Sequence, residues 1–277
     1  MTSVRVPAGP IHYEDTGGAG PVIVFTHGLL MTGTVWRDVI PLLDTYRCIT
    51  PTLPLGAHPE PMNADADLTQ LGVARILADF LDALDLEEVT LVLNDWGGGQ
   101  YIVTDGRDQR VARLVLASCE AFDNFPPKPA RPAVQLCRLP GGGWVLSKML
   151  HTKFFRHNRR TYGGLSQRGI PDSVYDEWFR PATQNPLVRR DLVKFATGTP
   201  ARRVLLDWAG RLSRFTRPVL IVWARDDQMM PLAHAHRLAE TFDDATLVEV
   251  DDSWTLIPVD QPQLFADSLR LFIGSEK

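Results

Sequence analysis

The stretch "LVLNDWGGGQ", residues 91–100, decides the fold of this 277-residue chain. An apolar run ends in Asn-Asp-Trp, and three glycines follow at once, which predicts a buried strand that turns sharply. A strand, a tight turn with a reactive residue at its apex, and then a helix form a nucleophile elbow. We therefore expect Asp95 to lie at an active site. The alternative is an aspartate that only caps the helix after the turn.

Short apolar runs and longer amphipathic segments alternate on both sides of this stretch. Most of the runs are apolar at nearly every position, which is typical of strands covered on both faces. The predicted strands are residues 22–28, 48–54, 89–95, 113–119, 219–227 and 246–252, and the clearest predicted helices are residues 68–86 and 261–274. This alternation predicts an α/β fold with a mostly parallel, twisted sheet flanked by helices.

One long region interrupts the alternation. Between residues 123 and 212 there is no strong strand pattern, and the region opens with the proline-rich "FPPKPARP" and continues through helix-forming pieces rich in arginine and aromatic residues. We interpret it as a helical cap inserted between two strands. The predicted organisation is a core of residues 1–122 and 213–277 with a cap of residues 123–212.

Composition narrows the classes of function. The chain is 44% hydrophobic and 22% charged, with a net charge of −4, so neither nucleic acid nor a membrane is an expected partner. The cysteines Cys48, Cys119 and Cys137 have neither disulfide-framework nor zinc spacing. No signal peptide or membrane-spanning run is evident, which favours a cytoplasmic location. We expect a small-molecule substrate and no metal or cofactor.

Four motifs, taken in order, carry a resemblance to a known superfamily. They are "THGLLMTGTVW" (26–36), "LNDWGGG" (93–99), "VWARDDQMMP" (222–231) and "DDSWTLIPVDQP" (251–262). Together they resemble the α/β-hydrolase fold, in the branch of haloalkane dehalogenases and epoxide hydrolases. In that branch an aspartate occupies the elbow position at which esterases carry serine. The resemblance covers the whole chain, and its cap domain corresponds to residues 123–212.

The resemblance implies roles for individual residues. Asp95 would be the nucleophile, which needs no base because an aspartate is ionised at neutral pH. Asp227, four residues before Pro231, would be the acid of the catalytic triad. The backbone N–H groups of Leu29 and Trp96 would stabilise negative charge on the substrate, and the Trp96 indole would contact the leaving group. Trp96 could equally be a core aromatic beside the elbow.

The catalytic histidine of that branch is missing. An ungapped comparison of the fourth motif places Thr255 at the histidine position, while Asp260 and Pro262 still match. A threonine hydroxyl cannot activate water as histidine does. Three interpretations stay open: a hydrolase that uses another base such as Asp227, a non-hydrolytic isomerase, lyase or cyclase, and a catalytically silent receptor. We favour an enzyme that acts on a small, mainly apolar molecule.

Aromatic residues of the cap are expected to face the substrate, because the cap covers the pocket in this superfamily. Epoxide hydrolases use cap tyrosines to protonate the leaving oxygen, which makes two of the tyrosines candidates for that role. The alternative for each aromatic is simple packing within a small helical layer. The candidates are Trp144, Phe154, Tyr162, Tyr175 and Trp178, together with Trp254 beside the histidine position.

Overall fold

A computed structural model describes residues 2–95 and 98–274 of the chain. Among these residues one sheet of eight strands has the order β1-β2-β4-β3-β5-β6-β7-β8. The first two strands run antiparallel to their neighbours and the others are parallel, which confirms the predicted mostly parallel sheet. The strands are β1 (Thr2–Val6), β2 (Gly9–Asp15), β3 (Val22–Phe25), β4 (Arg47–Thr52), β5 (Val89–Asp95), β6 (Val111–Cys119), β7 (Val219–Ala224) and β8 (Ala245–Val250).

Helices connect and cover these strands. The described α-helices are α1 (Gln70–Ala83), α2 (Tyr101–Thr104), α3 (Arg131–Cys137), α4 (Gly142–Leu150), α5 (Lys153–Arg156), α6 (Asp172–Gln184), α7 (Pro186–Thr197), α8 (Arg202–Arg211), α9 (Leu232–Thr241), α10 (Ile257–Asp260) and α11 (Pro262–Gly274). Short 3₁₀ helices lie at Gly33–Trp36, Ile40–Leu42, Lys128–Ala130, Tyr162–Gly164 and Leu212–Arg214.

The central strands are buried on both faces, as their sequences require. Successive side chains of a strand point to opposite faces. Accordingly Leu91 and Leu93 of β5 join an apolar cluster with residues of α1 and α9, whereas Val92 joins a second cluster with residues of α11. All seven residues of β5 are buried. The strand that carries Asp95 is therefore held rigidly from both sides.

The segment between β6 and β7 contains helices and no strand, and all of its residues are described. We call residues 123–212 the cap segment. Its longest helix, α6, has an apolar stripe of Tyr175, Trp178, Phe179 and Ala182, all fully or almost fully buried. These side chains belong to the same apolar cluster as Val92 and the other sheet residues on its face, so the segment packs on the rest of the fold.

No helix within residues 2–95 and 98–274 is long and apolar enough to cross a membrane.

Candidate active site

The elbow places Asp95 at the end of β5. Its φ of +61° lies in the left-handed region, which a non-glycine residue adopts only under strain. The Asp95 carbonyl accepts a hydrogen bond from the Glu120 N–H at 3.0 Å, which ties the turn to the residue after β6. Only 5% of Asp95 is exposed. The surrounding structure therefore fixes the position of this carboxylate.

The loop after β3 packs directly against Asp95. A Cβ atom added to Gly28 would lie 1.8 Å from Asp95 Oδ2, so only glycine permits this approach. The neighbouring His27 is fully buried, and its Nε2 accepts a hydrogen bond from the Leu53 N–H at 2.9 Å. Its Nδ1 therefore carries the proton and donates to the Gly28 carbonyl at 2.9 Å. Burial lowers the pKa of His27 to about 4, so this histidine stays neutral and holds the loop.

Leu29, in the loop after β3, carries the first of the two predicted backbone donors. Among the described residues its N–H has no hydrogen-bond acceptor, and Leu29 lines the same cavity as Asp95. Its carbonyl accepts a hydrogen bond from the Tyr162 hydroxyl at 2.6 Å. The second predicted donor, Trp96, and the following Gly97 lie outside the described residues.

The cavity beside Asp95 is small and partly open, with a volume of about 70 Å³. Tyr162 belongs to the lining from the cap segment, and burial together with the Asp95 charge raises the pKa of its phenol well above its ordinary value. Tyr162 is therefore protonated at neutral pH, and its hydroxyl donates to the Leu29 carbonyl. The described lining residues are Leu29, Asp95, Ala130, Arg160, Thr161, Tyr162, Leu165 and Met229.

Asp227 and Thr255 meet, as the comparison of the fourth motif requires. The Thr255 hydroxyl donates to Asp227 Oδ1 at 2.9 Å, and Thr255 is fully buried. The Thr255 carbonyl accepts a hydrogen bond from Asn94 Nδ2 at 2.8 Å, and Asn94 directly precedes Asp95. Thr255 thus lies beside the elbow, and the amide of Asn94 holds it there.

The environment of Asp227 raises its pKa. Burial raises the pKa of Asp227 from its ordinary 3.8 to about 6, although the N–H groups of Met229 and Met230 donate to its Oδ1 and oppose this shift. Its Oδ2 is buried and has no hydrogen-bond partner among the described residues. A carboxylate with a pKa near 6 is a stronger base than an ordinary aspartate and is still mostly ionised at neutral pH.

The turn after β8 is held by a buried acid, Asp260. Asp260 is fully buried and its Oδ2 accepts a hydrogen bond from the Trp254 N–H at 3.0 Å. It also accepts hydrogen bonds from the Ser166 hydroxyl and from two backbone N–H groups of the cap segment, those of residues 167 and 168. Asp260 therefore fixes the backbone around Thr255 and joins it to the cap segment.

Histidine is absent from the described lining of the cavity. His58 instead pairs with the buried Asp191 at 3.2 Å, and His157 pairs with Asp172 at 2.8 Å. The described residues also contain no group of three or more histidine, cysteine, aspartate and glutamate side chains that could hold a metal ion. The three cysteines are buried, free thiols.

Of the six predicted aromatic residues, Tyr162 lines the cavity and the other five lie elsewhere among the described residues. Trp144 and Phe154 are 51% and 74% exposed, because they lie on the solvent side of short helices. Tyr175 and Trp178 are buried in the α6 stripe, where Trp178 Nε1 donates to Thr34 Oγ1 at 2.8 Å. The Arg159 guanidinium lies over the ring of Trp254, with its carbon atom 5.3 Å from the ring centroid.

Three residues of the site were not predicted from the sequence. Asn94 links the elbow to Thr255, and Glu120 is a buried acid whose carboxylate accepts a hydrogen bond from the Gly98 N–H. Arg160 lines the cavity. Glu120 directly follows the buried strand β6, just as Asp95 ends the buried strand β5. This position is the pattern that could have indicated Glu120. Arg160 lies within the basic stretch "RHNRR".

The chain is similar to known hydrolases over almost its whole length. Residues 21–254 match the model of the α/β-hydrolase fold family. Haloalkane dehalogenase 2 from Mycobacterium tuberculosis is 29% identical over 271 residues, which cover 94% of this chain and 90% of the relative. A 2-hydroxy-6-oxononadienedioate/2-hydroxy-6-oxononatrienedioate hydrolase from Paraburkholderia xenovorans is 27% identical over 262 residues, covering 88% and 85%.

Solved structures agree on the fold. The haloalkane dehalogenase DbeA from Bradyrhizobium elkani superposes with a TM-score of 0.78 at 19% identity, over 99% of this chain and 97% of that one.

Proposed function

The chain belongs to the α/β-hydrolase fold family, and on that premise we propose that it acts on a small, mainly apolar molecule through an ester formed on Asp95. One observation carries the proposal. A carboxylate at the strained end of a buried strand lines a cavity together with a backbone N–H that has no acceptor among the described residues. The strain and the burial hold the carboxylate in a single position, as attack on a bound carbon requires.

In the first step an Asp95 carboxylate oxygen forms a bond to a substrate carbon. The bond from that carbon to its leaving group breaks, and the leaving group departs with the electron pair. The Leu29 N–H lies where it can stabilise negative charge that develops in this step, and Trp96 would do so from the other side. Where the leaving group is an alkoxide oxygen, the Tyr162 phenol is the proton donor that lines the cavity.

In the second step the ester is hydrolysed without a histidine. Asp227, with its pKa raised to about 6, accepts a proton from water through the Thr255 hydroxyl, which already donates to Asp227 Oδ1. The resulting hydroxide attacks the ester carbonyl of Asp95 and releases the alcohol product. A carboxylate acting through a hydroxyl is a weaker base than imidazole at neutral pH. This step should therefore limit turnover, and the ester should accumulate.

The absence of histidine from the described lining also favours a second candidate. An isomerase, lyase or cyclase has no ester to hydrolyse, and in such an enzyme Asp95 would act as a base or stabilise positive charge. A receptor would bind its ligand under the cap segment and release it unchanged. These alternatives differ from the proposed hydrolase in two measurable respects: whether oxygen from water enters the product, and whether the mass of the protein increases by an adduct.

The test is intact-protein mass spectrometry with 1-bromopropane, combined with measurement of bromide release. We expect one propyl adduct per chain, mapped to Asp95 and absent from Asp95→Asn, with slow turnover that depends on Asp227. Asp226→Asn is the matched control, since Asp226 is an exposed neighbour of Asp227. In water labelled with ¹⁸O, propanol released over many turnovers should carry the label.

Two results would overturn the proposal. An adduct on another residue, or bromide release that persists in Asp95→Asn, would exclude Asp95 as the nucleophile. Ligand binding with neither adduct nor bromide release would favour the receptor.

A further inference from the structure

We propose that the substrate carries an anionic group, of the carboxylate class, that pairs with Arg160 while its electrophilic carbon faces Asp95. This inference rests on the proposed function. It keeps the ester on Asp95 but replaces the mainly apolar substrate with a small acid that has a leaving group on a carbon near the carboxylate. Its support comes from the lining of the cavity, the partners of Arg160, the size of the cavity and the distribution of charge in the chain.

Arg160 is the cation among the described residues that line the cavity. The other lining residues are apolar, hydroxyl-bearing or, in the case of Asp95, acidic. The Arg160 backbone is anchored, because its N–H donates to Asn158 Oδ1 at 2.8 Å. Arg160 is an exposed residue, and its guanidinium forms no ion pair or hydrogen bond with any described residue, so its donors are open to a ligand as well as to solvent. A planar guanidinium with free donors matches a carboxylate in two parallel hydrogen bonds.

Neighbouring arginines behave differently, which makes Arg160 stand out. Arg156 is paired with both Asp172 and Asp176, at 2.6 Å and 2.5 Å. Arg159 lies over the ring of Trp254 and is absent from the described lining of the cavity. The fold thus uses two of these three cations for packing and pairing and leaves Arg160 at the cavity.

The cavity limits the size of the acid. A volume of about 70 Å³ holds roughly five water-sized centres, at 10–15 Å³ each. A two-carbon acid with one leaving group has five non-hydrogen atoms. A molecule of this size matches the volume of the cavity that Arg160 and Asp95 both line.

Positive charge is concentrated in the cap segment, and this distribution would attract an anion to the cavity. The cap segment, residues 123–212, contains 16 lysines and arginines and 6 aspartates and glutamates, a surplus of ten positive charges. The whole chain has a net charge of −4, so the rest of the chain carries a surplus of 14 negative charges. A positive field over the cavity raises the local concentration of anions and speeds their association, and salt weakens this effect.

The test compares two reagents of equal size, bromoacetate and bromoacetamide, by the rate at which each alkylates Asp95. Peptide mapping separates this reaction from alkylation of cysteine. In both reactions an Asp95 oxygen bonds to the methylene carbon and bromide leaves with the electron pair. We expect the ratio of the two rates to fall ten- to a hundredfold in Arg160→Gln, which loses a charge-assisted pair. Arg160→Lys should fall between, since it keeps the charge but loses the paired donors.

Arg159→Gln is the matched control, because it removes the same charge from the adjacent residue outside the described lining. Its rate ratio should stay within about twofold of the unmodified protein, the size of a general field effect screened by salt. An equal fall in Arg159→Gln and Arg160→Gln would overturn the pairing and leave only the field of the cap segment. An unchanged ratio in Arg160→Gln would overturn the inference while the proposed ester on Asp95 stands.

If neither reagent alkylates Asp95, the proposed nucleophile fails and the anion site is tested by binding alone. Acetate and acetamide are titrated into the protein by NMR. Acetate binding that exceeds acetamide binding and disappears in Arg160→Gln supports the site. Equal binding of the two compounds overturns it.

Discussion

The turn after β5 and the turn after β8 are joined by the hydrogen bond from Asn94 Nδ2 to the Thr255 carbonyl, and they differ in whether the side chain at the turn takes part in the contacts that hold it. At the first turn Asp95, the proposed nucleophile, lies at φ +61° against Gly28. At the second turn Thr255, which we propose to stand at the histidine position of the superfamily, donates its hydroxyl to Asp227.

The backbone of the second turn is held by contacts that do not depend on the side chain at position 255. The second turn is positioned by Asp260, which accepts a hydrogen bond from the Trp254 N–H, and by Asn94, which donates to the Thr255 carbonyl. Neither contact involves the side chain at position 255. The first turn cannot be separated in this way, because the approach of Gly28 to the Asp95 carboxylate involves the side chain itself.

The sharpest test of this difference is to restore the imidazole. In Thr255→His the backbone should stay in place and Asp227 should orient the new base, so hydrolysis of the Asp95 ester should accelerate about 10²- to 10⁴-fold, the usual contribution of a positioned base. Decay of the propyl adduct, followed by intact mass, measures the effect. Thr255→Asn is the control, since asparagine is polar and of intermediate size but cannot accept the proton. Equal acceleration in the two variants would mean that added space, not basicity, changes the rate.

The next largest effect is expected at the first turn. In Gly28→Ala the new methyl group would lie 1.8 Å from Asp95 Oδ2, so the carboxylate must move. A displacement of about 1 Å typically costs about 10²-fold in rate, and alkylation of Asp95 should slow by that factor. Gly210→Ala is the matched control, because a Cβ atom at this helical glycine has no described neighbour within 4 Å. Alkylation of Gly28→Ala at an unchanged rate would contradict the close approach at this turn.

Much of the core could be predicted because its strands are continuous apolar runs, as strands buried on both faces must be. The two N-terminal strands, Thr2–Val6 and Gly9–Asp15, were missed. They lie at the antiparallel edge of the sheet and are partly exposed, so their patterns mix polar and apolar residues. A mixed pattern of this kind does not distinguish a strand from a loop.

The site was predictable only where local sequence constrains it. The resemblance to the superfamily predicted that Thr255 and Asp227 lie together, and the hydrogen bond between them agrees with that prediction. The sequence does not show which cap aromatics face the cavity. An aromatic residue packs inside α6 at Trp178 and lies exposed on α5 at Phe154. Which helix face meets the cavity depends on how the cap segment docks, and that depends on distant contacts such as the one between Asp260 and Ser166.

The smallest expected effect concerns Asp227, whose environment differs most from that of an ordinary aspartate. Its pKa is raised from 3.8 to about 6 in the folded chain by burial, so folding favours the protonated form. The stability that this provides is fully present below about pH 4 and is lost as the pH rises through about 6. Each pH unit between the two pKa values corresponds to about 1.4 kcal/mol, which gives an upper bound of about 3 kcal/mol.

Asparagine cannot ionise, so Asp227→Asn should remove this dependence. We expect the free energy of unfolding of Asp227→Asn, relative to that of the unmodified protein, to rise by about 2 kcal/mol between pH 4 and pH 8, less than the bound because the carboxyl group of the unfolded chain is already partly ionised at pH 4. Urea denaturation at a series of pH values measures the difference, and subtraction cancels the titration of other groups such as His27. Asp226→Asn, at the exposed neighbouring position, should give a flat difference over the same range. A difference for Asp227→Asn that falls with pH would mean that the folded chain favours the ionised carboxylate, and Asp227 would then be too weak a base to replace the missing histidine.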